Sequence, residues 1–200
     1  MAKLYFRYGA MNSGKSTAII QVAYNYEEKG KKILLMKPST DTKGKQSVQN
    51  RSGLSRKVNY ILLPDEPIRP YLDEEIDAIL IDEAQFLTEN QVRELYEISK
   101  IDNISVLCYG LRNDFQMKPF PGAIYLLALA DDIEELKTIC KCGKKATQNL
   151  RKINDIPTFE GAQVLIDGSI NDVTYESVCG NCYLELKSVY SKPNIRERKL

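Results

Sequence analysis

Three groups of residues in the 200-residue chain have the types and spacing to do chemistry. The first is Gly9-Ala10-Met11-Asn12-Ser13-Gly14-Lys15-Ser16, which fits G-x-x-x-x-G-K-[ST], a loop that surrounds phosphate. Backbone N–H groups must converge on the anion, so glycine stands where a side chain would block the approach, at Gly9 and Gly14. Lys15 would reach the β/γ-phosphates and Ser16 would ligate Mg2+, while a helix opening at Lys15 points its positive end at the charge. The second group is Asp82-Glu83, two carboxylates placed where the apolar run 78–81 would surface at the ligand crevice of a parallel sheet. An aspartate there can hold nucleotide-bound Mg2+, and successive strand residues point opposite ways, so the two acids take different jobs. The third group is Cys140-Lys141-Cys142-Gly143 with Cys179-Gly180-Asn181-Cys182, two close pairs that look like the knuckles of a four-cysteine zinc ribbon.

Each group has a bland alternative: a glycine turn with a chance GKS, an acidic surface turn, and two incidental thiol pairs. Context weighs against the first, because residues 3–8 read as a strand entering the loop and 17–29 as a helix leaving it. Histidine is absent, which removes Ser-His-Asp, Cys-His and His-ligated metal mechanisms, so base work falls to a carboxylate, Lys, Tyr or Cys. Hydrophobic residues at 43% and charged residues at 28% are ordinary for a soluble globular chain. A net charge of +1 argues against a protein that coats nucleic acid. No apolar run reaches the ~20 residues of a membrane span. The N-terminus runs straight into strand pattern, so a cytoplasmic protein is expected, in which five cysteines serve as metal ligands or core rather than disulfides.

The positioning elements follow from periodicity. Ile19, Ile20, Val22, Ala23 and Tyr26 recur at helical spacing before Gly30, a candidate C-cap. Residues 32–37 form a nearly continuous apolar run, the mark of a strand buried on both faces, ended by Pro38. From 39 to 57 the chain is polar and basic, and it reads as a mobile loop, either a solvated excursion or a lid whose cations meet a nucleotide. Residues 58–63 read as a strand, Thr88 to Gln91 as a helix cap, and 104–111 as a buried strand with Cys108 a core thiol. The loop 113–122 holds Phe115 and Phe120, which read as exposed aromatics suited to stacking on a flat base or to packing under the loop. Residues 123–136 read as a helix. Gln163 to Gly168 is a strand and turn whose backbone could serve a ligand as an edge, and the charged tail from 191 to 200 reads as frayed.

The order P-loop, Asp82-Glu83-Ala84-Gln85-Phe86, then Tyr109-Gly110-Leu111 with Phe115-Gln116 and Lys118-Pro119-Phe120, then two cysteine pairs bracketing a Tyr-x-x-x-Cys segment, closely resembles the type II thymidine kinase family over residues 4–190. The resemblance implies an α/β fold of the P-loop NTPase, RecA-like kind, a parallel sheet with helices on both faces, plus a small C-terminal zinc-ribbon domain. It implies a nucleotide-binding domain over 1–138, a zinc-binding lasso domain over 139–190 and a flexible tail over 191–200. The implied reaction is ATP- and Mg2+-dependent phosphorylation of the 5′-hydroxyl of thymidine or deoxyuridine, a salvage step for DNA synthesis, by a homotetramer with no nucleic-acid or membrane partner. Carried over by position, Gly9 to Ser16 with Thr17 and Asp82, Glu83, Ala84 and Gln85 bind ATP, Ser16 and Asp82 serve Mg2+, and Glu83 with Lys15 is catalytic. Phe115 stacks on thymine, Met11 and Leu111 line the pocket, and Tyr175 with Val164, Leu165, Ile166, Asp167 and Gly168 holds the base edge. Cys140, Cys142, Cys179 and Cys182 hold structural Zn2+.

Three departures stand out. Asp41-Thr42-Lys43 replaces the family's Asp-x-Arg, so Lys43, Arg51 or Arg56 must supply the phosphate-contacting cation. The first cysteine pair is C-x-C, and Ile166-Asp167-Gly168 lies farther from Tyr175 than the family's pattern has it. Two rival readings come from other classes. A nucleic-acid-stimulated ATPase would use the same acidic pair to activate water, but it needs a second ATPase-like domain for which this chain has no room. The second rival is a non-enzymatic zinc-ribbon binding module with the P-loop as a sensor, against which near-neutral net charge and few aromatics around Cys140 and Cys179 argue, as they do against nucleic-acid binding.

Overall fold

The computed structural model describes residues 1–40, 46–73, 75–163 and 172–191. In chain order the first elements are β1 (Leu4–Tyr8), α1 (Lys15–Glu28), β2 (Lys32–Pro38), β3 (Ser47–Gln49), β4 (Ser55–Lys57), β5 (Tyr60–Leu62), β6 (Ile76–Ile81), α2 (Glu89–Glu97), β7 (Ser105–Gly110), α3 (Pro121–Leu129) and β8 (Asp132–Glu135). Then come β9 (Thr138–Ile139), β10 (Lys145–Ala146), β11 (Gln148–Ile153), β12 (Ile156–Thr158), β13 (Val173–Val178) and α4 (Gly180–Tyr190).

Six of these strands form one parallel sheet in the order β5-β2-β6-β7-β1-β8. The inner strands β2, β6 and β7 are largely apolar because both faces are covered, and the two-residue side-chain period sorts them. Leu34 and Met36 of β2, Ile79 and Ile81 of β6 and Val106 of β7 join one core with Val92, Leu95, Ala123 and Leu126 of α2 and α3. Ile33, Leu35, Ala78, Leu80, Leu107 and Tyr109 face the other way, against Ile19, Ile20 and Ala23 of α1. Thr88 and Gln91 close the expected capping box at the start of α2. Cys108 is a core thiol whose ionisation burial pushes up.

Two expected elements differ. The helix expected over 123–136 stops at Leu129, and residues 132–135 become β8, an added edge strand on β1. The edge of β1 offers backbone groups that need partners, and the Asp131 carboxylate takes the Leu4 N–H at 2.8 Å to start the pairing. The stretch 39–57, expected to be a mobile loop, forms the β3–β4 hairpin in its described part. Val48 is buried in the core that α1 caps, Asn50 donates to the Thr17 hydroxyl at 3.0 Å, and Arg56 pairs with Glu27.

Beyond β8 lie two small antiparallel sheets, β10-β9 and β12-β11-β13, with α4 packed on the latter. Their core is Cys140, Ala146, Leu150, Phe159, Val178, Cys179 and Tyr183. The tail beyond Ser191 lies outside the described residues.

Candidate active site

β1 delivers Gly9 to the carboxyl end of the sheet, where its N–H donates to Gly110 O at 3.3 Å. A Cβ on Gly9 would sit 2.4 Å from Leu136 O and from Ser13 Oγ, so the close turn excludes any side chain. Gly14 caps α1 with φ +84°, a left-handed conformation that an L side chain rarely adopts. The first-turn amides of α1 have no intrahelical acceptor and face the loop. Lys15 curls back into that loop, its Nζ donating to Ala10 O at 2.9 Å, Gly9 O at 3.2 Å and Ser13 Oγ at 3.4 Å. Burial pulls its pKa down while the charges of Glu83 and Asp82 hold it up. Carbonyls and a hydroxyl are weak partners for a buried ammonium, so the cation is poised for a stronger anion.

Asp82 follows β6 and is 5% exposed, its N–H donating to Met36 O at 3.0 Å. Glu83 is half-buried and holds φ +50°, an uncommon conformation for a residue with a Cβ, where it caps a one-turn 3-10 helix, Ala84–Phe86. The turn is pinned by Gln85, fully buried, whose Nε2 donates to Glu83 Oε2 at 2.6 Å while its Oε1 accepts the Leu111 N–H at 2.9 Å. The Gln85 side chain, expected among the nucleotide contacts, thus orients the Glu83 carboxylate and ties it to the backbone of a wall of the expected pocket.

Met11 is half-buried against the core to which the buried Leu111 belongs. Phe115 and Phe120, expected to be exposed, are 1% and 4% exposed, because Phe120 packs edge-on against Phe86 and Phe115 is covered by Arg151. The Arg151 guanidinium lies 3.5 Å from the Phe115 ring centroid and donates to Ala162 O at 2.7 Å and to Glu160 O. Tyr183 of α4 donates to Phe115 O at 2.6 Å, and Gln116 Nε2 to Phe159 O and Gly161 O at 3.3 Å. Sequence reasoning missed Arg151 and Tyr183. An arginine in Leu150-Arg151-Lys152-Ile153 gives no sign of which side of the strand it faces. Tyr175 is half-buried on β13. Val164, Leu165, Ile166, Asp167 and Gly168 lie outside the described residues, as do Asp41, Thr42 and Lys43.

The sulfurs of Cys140, Cys142, Cys179 and Cys182 lie within 4.8 Å of one another. The C-x-C spacing works because Cys140 O accepts the Gly143 N–H at 2.8 Å in a turn, and Cys179 caps α4, with its sulfur facing Cys182 N at 3.5 Å and Cys142 Sγ at 3.6 Å. A tetrahedron of Zn–S bonds of about 2.3 Å needs sulfurs roughly 3.8 Å apart, so the four thiols fit zinc. Burial opposes ionisation of Cys140, yet the amides of Cys142 and Cys179 draw its thiol down to about 7, toward the thiolate that a metal requires.

The family model described as Thymidine kinase matches residues 2–183. A thymidine kinase of Chromobacterium violaceum is 45% identical over 186 residues, covering 92% of this chain and 98% of the relative. One of Idiomarina loihiensis is 46% identical, covering 90% and 94%, and one of Streptococcus thermophilus is 47% identical, covering 90% and 92%. The chain belongs to the thymidine kinase family. It is therefore a phosphotransferase that acts on thymidine. Among solved structures, a chain of a Pif1 helicase assembly on forked DNA matches 68% of this chain at 17% identity with a TM-score of 0.36, below the level that would show a shared fold.

Of the three cations considered for the phosphate contact, two lie among the described residues and can be compared. Arg56 is committed to Glu27 and lies over Tyr24, near the far end of α1, about 16 Å along the axis from Ser16 at 1.5 Å per residue. Arg51 lines a cavity of about 400 Å³ together with Asn12 of the Gly9–Ser16 loop and Tyr175. Of the two, Arg51 is the one beside the loop. Among the described residues, no helix is long and apolar enough to cross a membrane.

Proposed function

We propose that the chain transfers the γ-phosphoryl group of ATP to the 5′-hydroxyl of thymidine or deoxyuridine. Glu83 takes the hydroxyl proton as the oxygen bonds to the γ-phosphorus and the bond to ADP breaks. The residue chemistry supports these roles. The Gly9–Ser16 backbone cradles the phosphates, and Lys15 exchanges its loop carbonyls for the charge that develops on the transferring group. Ser16 and Asp82 would hold Mg2+ through the hard oxygen ligands it requires, and the ion would supply charge neutralisation to the phosphates. The observation that carries the reading is Glu83 itself, half-buried at the sheet's carboxyl end, held by Gln85 and tied through it to Leu111.

The base would lie between Met11, Leu111 and Phe115, with its edge on the 164–168 backbone and on Tyr175. One zinc, held by the four cysteines, would tie the two ends of that lasso. Domains over 1–138 and 139–190 match this division of labour. The free cysteines suit the reducing cytoplasm, and the exposed Ile124 and Leu127 of α3 give apolar surface to a homotetramer. The test is ATP consumption with thymidine, with single-stranded DNA and with neither, with thymidine monophosphate measured alongside. Turnover that depends on thymidine and yields equal amounts of ADP and the monophosphate is expected, and DNA-stimulated hydrolysis without nucleoside product overturns the reading.

A further inference from the structure

Asn149 lies in β11, the central strand of the small sheet beside the cysteine cluster, on the same face as Arg151 two residues on. It is 3% exposed, and its amide reaches two distant places. Its Oδ1 accepts the Met11 N–H at 2.8 Å, across 138 positions of sequence, and its Nδ2 donates to Asn113 O at 2.8 Å.

The first bond acts on the phosphate loop through the planarity of one peptide. The Met11 N–H and the Ala10 carbonyl belong to the same peptide unit, so fixing the direction of one fixes the other. That Ala10 oxygen accepts both Lys15 Nζ at 2.9 Å and Ser13 N at 3.3 Å. Asn149 therefore orients the carbonyl on which the Lys15 ammonium rests. The second bond acts on the other side of the site. Asn113 opens the loop that carries Phe115, and its own side chain donates to Gln148 Oε1 at 2.7 Å, the neighbour of Asn149 in β11. Arg151 then covers the Phe115 ring from the same face of the strand.

We propose that Asn149 is a positioning residue that fixes the phosphate loop and the base-side loop relative to one another, so that the sheet next to the cysteine cluster sets the geometry of both substrates. This rests on the reading of residues 9–16 as the ATP site and of Phe115 as a base contact. Phosphoryl transfer needs attacking and leaving oxygens in line, so a link between the two halves of the site should appear in turnover as well as in binding.

Asn149→Leu removes both bonds at similar size and leaves the Met11 N–H without its buried partner. Asn149→Asp keeps an acceptor for Met11 but loses the donor to Asn113. The measurements are kcat, KM for ATP and KM for thymidine, with zinc content and melting temperature taken on the same preparations. For Asn149→Leu, both KM values should rise about five- to tenfold and kcat should fall at least as much, with zinc retained. For Asn149→Asp, KM for thymidine should rise, while KM for ATP lies nearer wild type than in Asn149→Leu. Kinetic constants within twofold of wild type in both variants, or a lowered melting temperature with unchanged KM values, overturn the proposal. If Asn149→Leu does not fold, the split between the two KM values in Asn149→Asp decides alone. Lys15→Ala run in parallel separates the cases: full activity there would sink the phosphate-loop reading itself, whereas kinetically silent Asn149 variants sink only this proposal.

Discussion

At the scale of residues, the two carboxylates after β6 are set up differently. Asp82 is nearly covered, whereas Glu83 is half-buried in a left-handed turn that its neighbours must stabilise, at a cost of order 1–3 kcal/mol. Glu83→Gln keeps the size and a hydrogen bond to Gln85 but cannot accept a proton, so turnover should fall by roughly 10²-fold or more with nucleotide affinity almost unchanged. Asp82→Asn should instead weaken Mg2+-dependent nucleotide binding, and identical titration and turnover defects in the two variants would refute the division of roles. Lys15→Ala should abolish transfer while leaving the fold intact by circular dichroism, since its partners are loop atoms and the lost interaction is with developing phosphoryl charge. Phe115→Ala has a double consequence that its burial dictates. Loss of a base stack costs ~1–3 kcal/mol of thymidine affinity, and the emptied space under Arg151 removes ~3–5 kcal/mol of stability. Calorimetric titration and denaturant unfolding read the two separately, with ATP affinity as the unaffected control.

At the scale of elements, the cysteine cluster is a fastener between segments far apart in sequence. Cys140 and Cys142 close the β9–β10 turn, Cys179 and Cys182 start α4, and β11 and β13 run between them in antiparallel register from Gln148↔Val178 to Ile153↔Val173. One zinc per chain is expected by metal analysis, with Cys108 the single thiol that stays outside the cluster. Cys142→Ser, or chelation, should release the metal and loosen β13 and the Tyr175 end of the lasso. Thymidine affinity should fall before global unfolding, and a metal-free protein that binds thymidine with full affinity would reject this role. Elements also show where local pattern misleads. Asp132–Glu135 adjoins a good helix and is acidic, yet it pairs as β8 because β1 leaves an edge to be filled. The β3–β4 hairpin looks like loop because its one buried anchor, Val48, gains its value only from the α1 surface it meets.

At the scale of the whole molecule, the expected specificity depends on a pocket assembled from both halves of the chain. An apolar slot at Met11, Leu111 and Phe115 does not distinguish pyrimidines, but backbone groups meeting the N3–H and O2/O4 edge do. Cytosine offers an N4 donor and an N3 acceptor there, so those buried groups would lose their partners. Thymidine and deoxyuridine should both be phosphorylated and deoxycytidine hardly at all, and comparable kcat/KM for deoxycytidine and thymidine would refute the backbone-edge model. The sequence by itself determined the Gly9–Ser16 loop, the acidic pair, the two cysteine pairs and the doubly covered parallel strands. Each of these is written in a short contiguous stretch, or in residue types so chemically specialised that spacing identifies them. Only the tertiary structure decided that Phe115 lies beneath Arg151, that Gln85 holds Glu83, and that Asn149 meets Met11 across 138 positions. The physical reason is that an ordinary amide or guanidinium carries no local signature of its partner. Its role is fixed when the packing of distant strands removes water and leaves it particular hydrogen-bond partners.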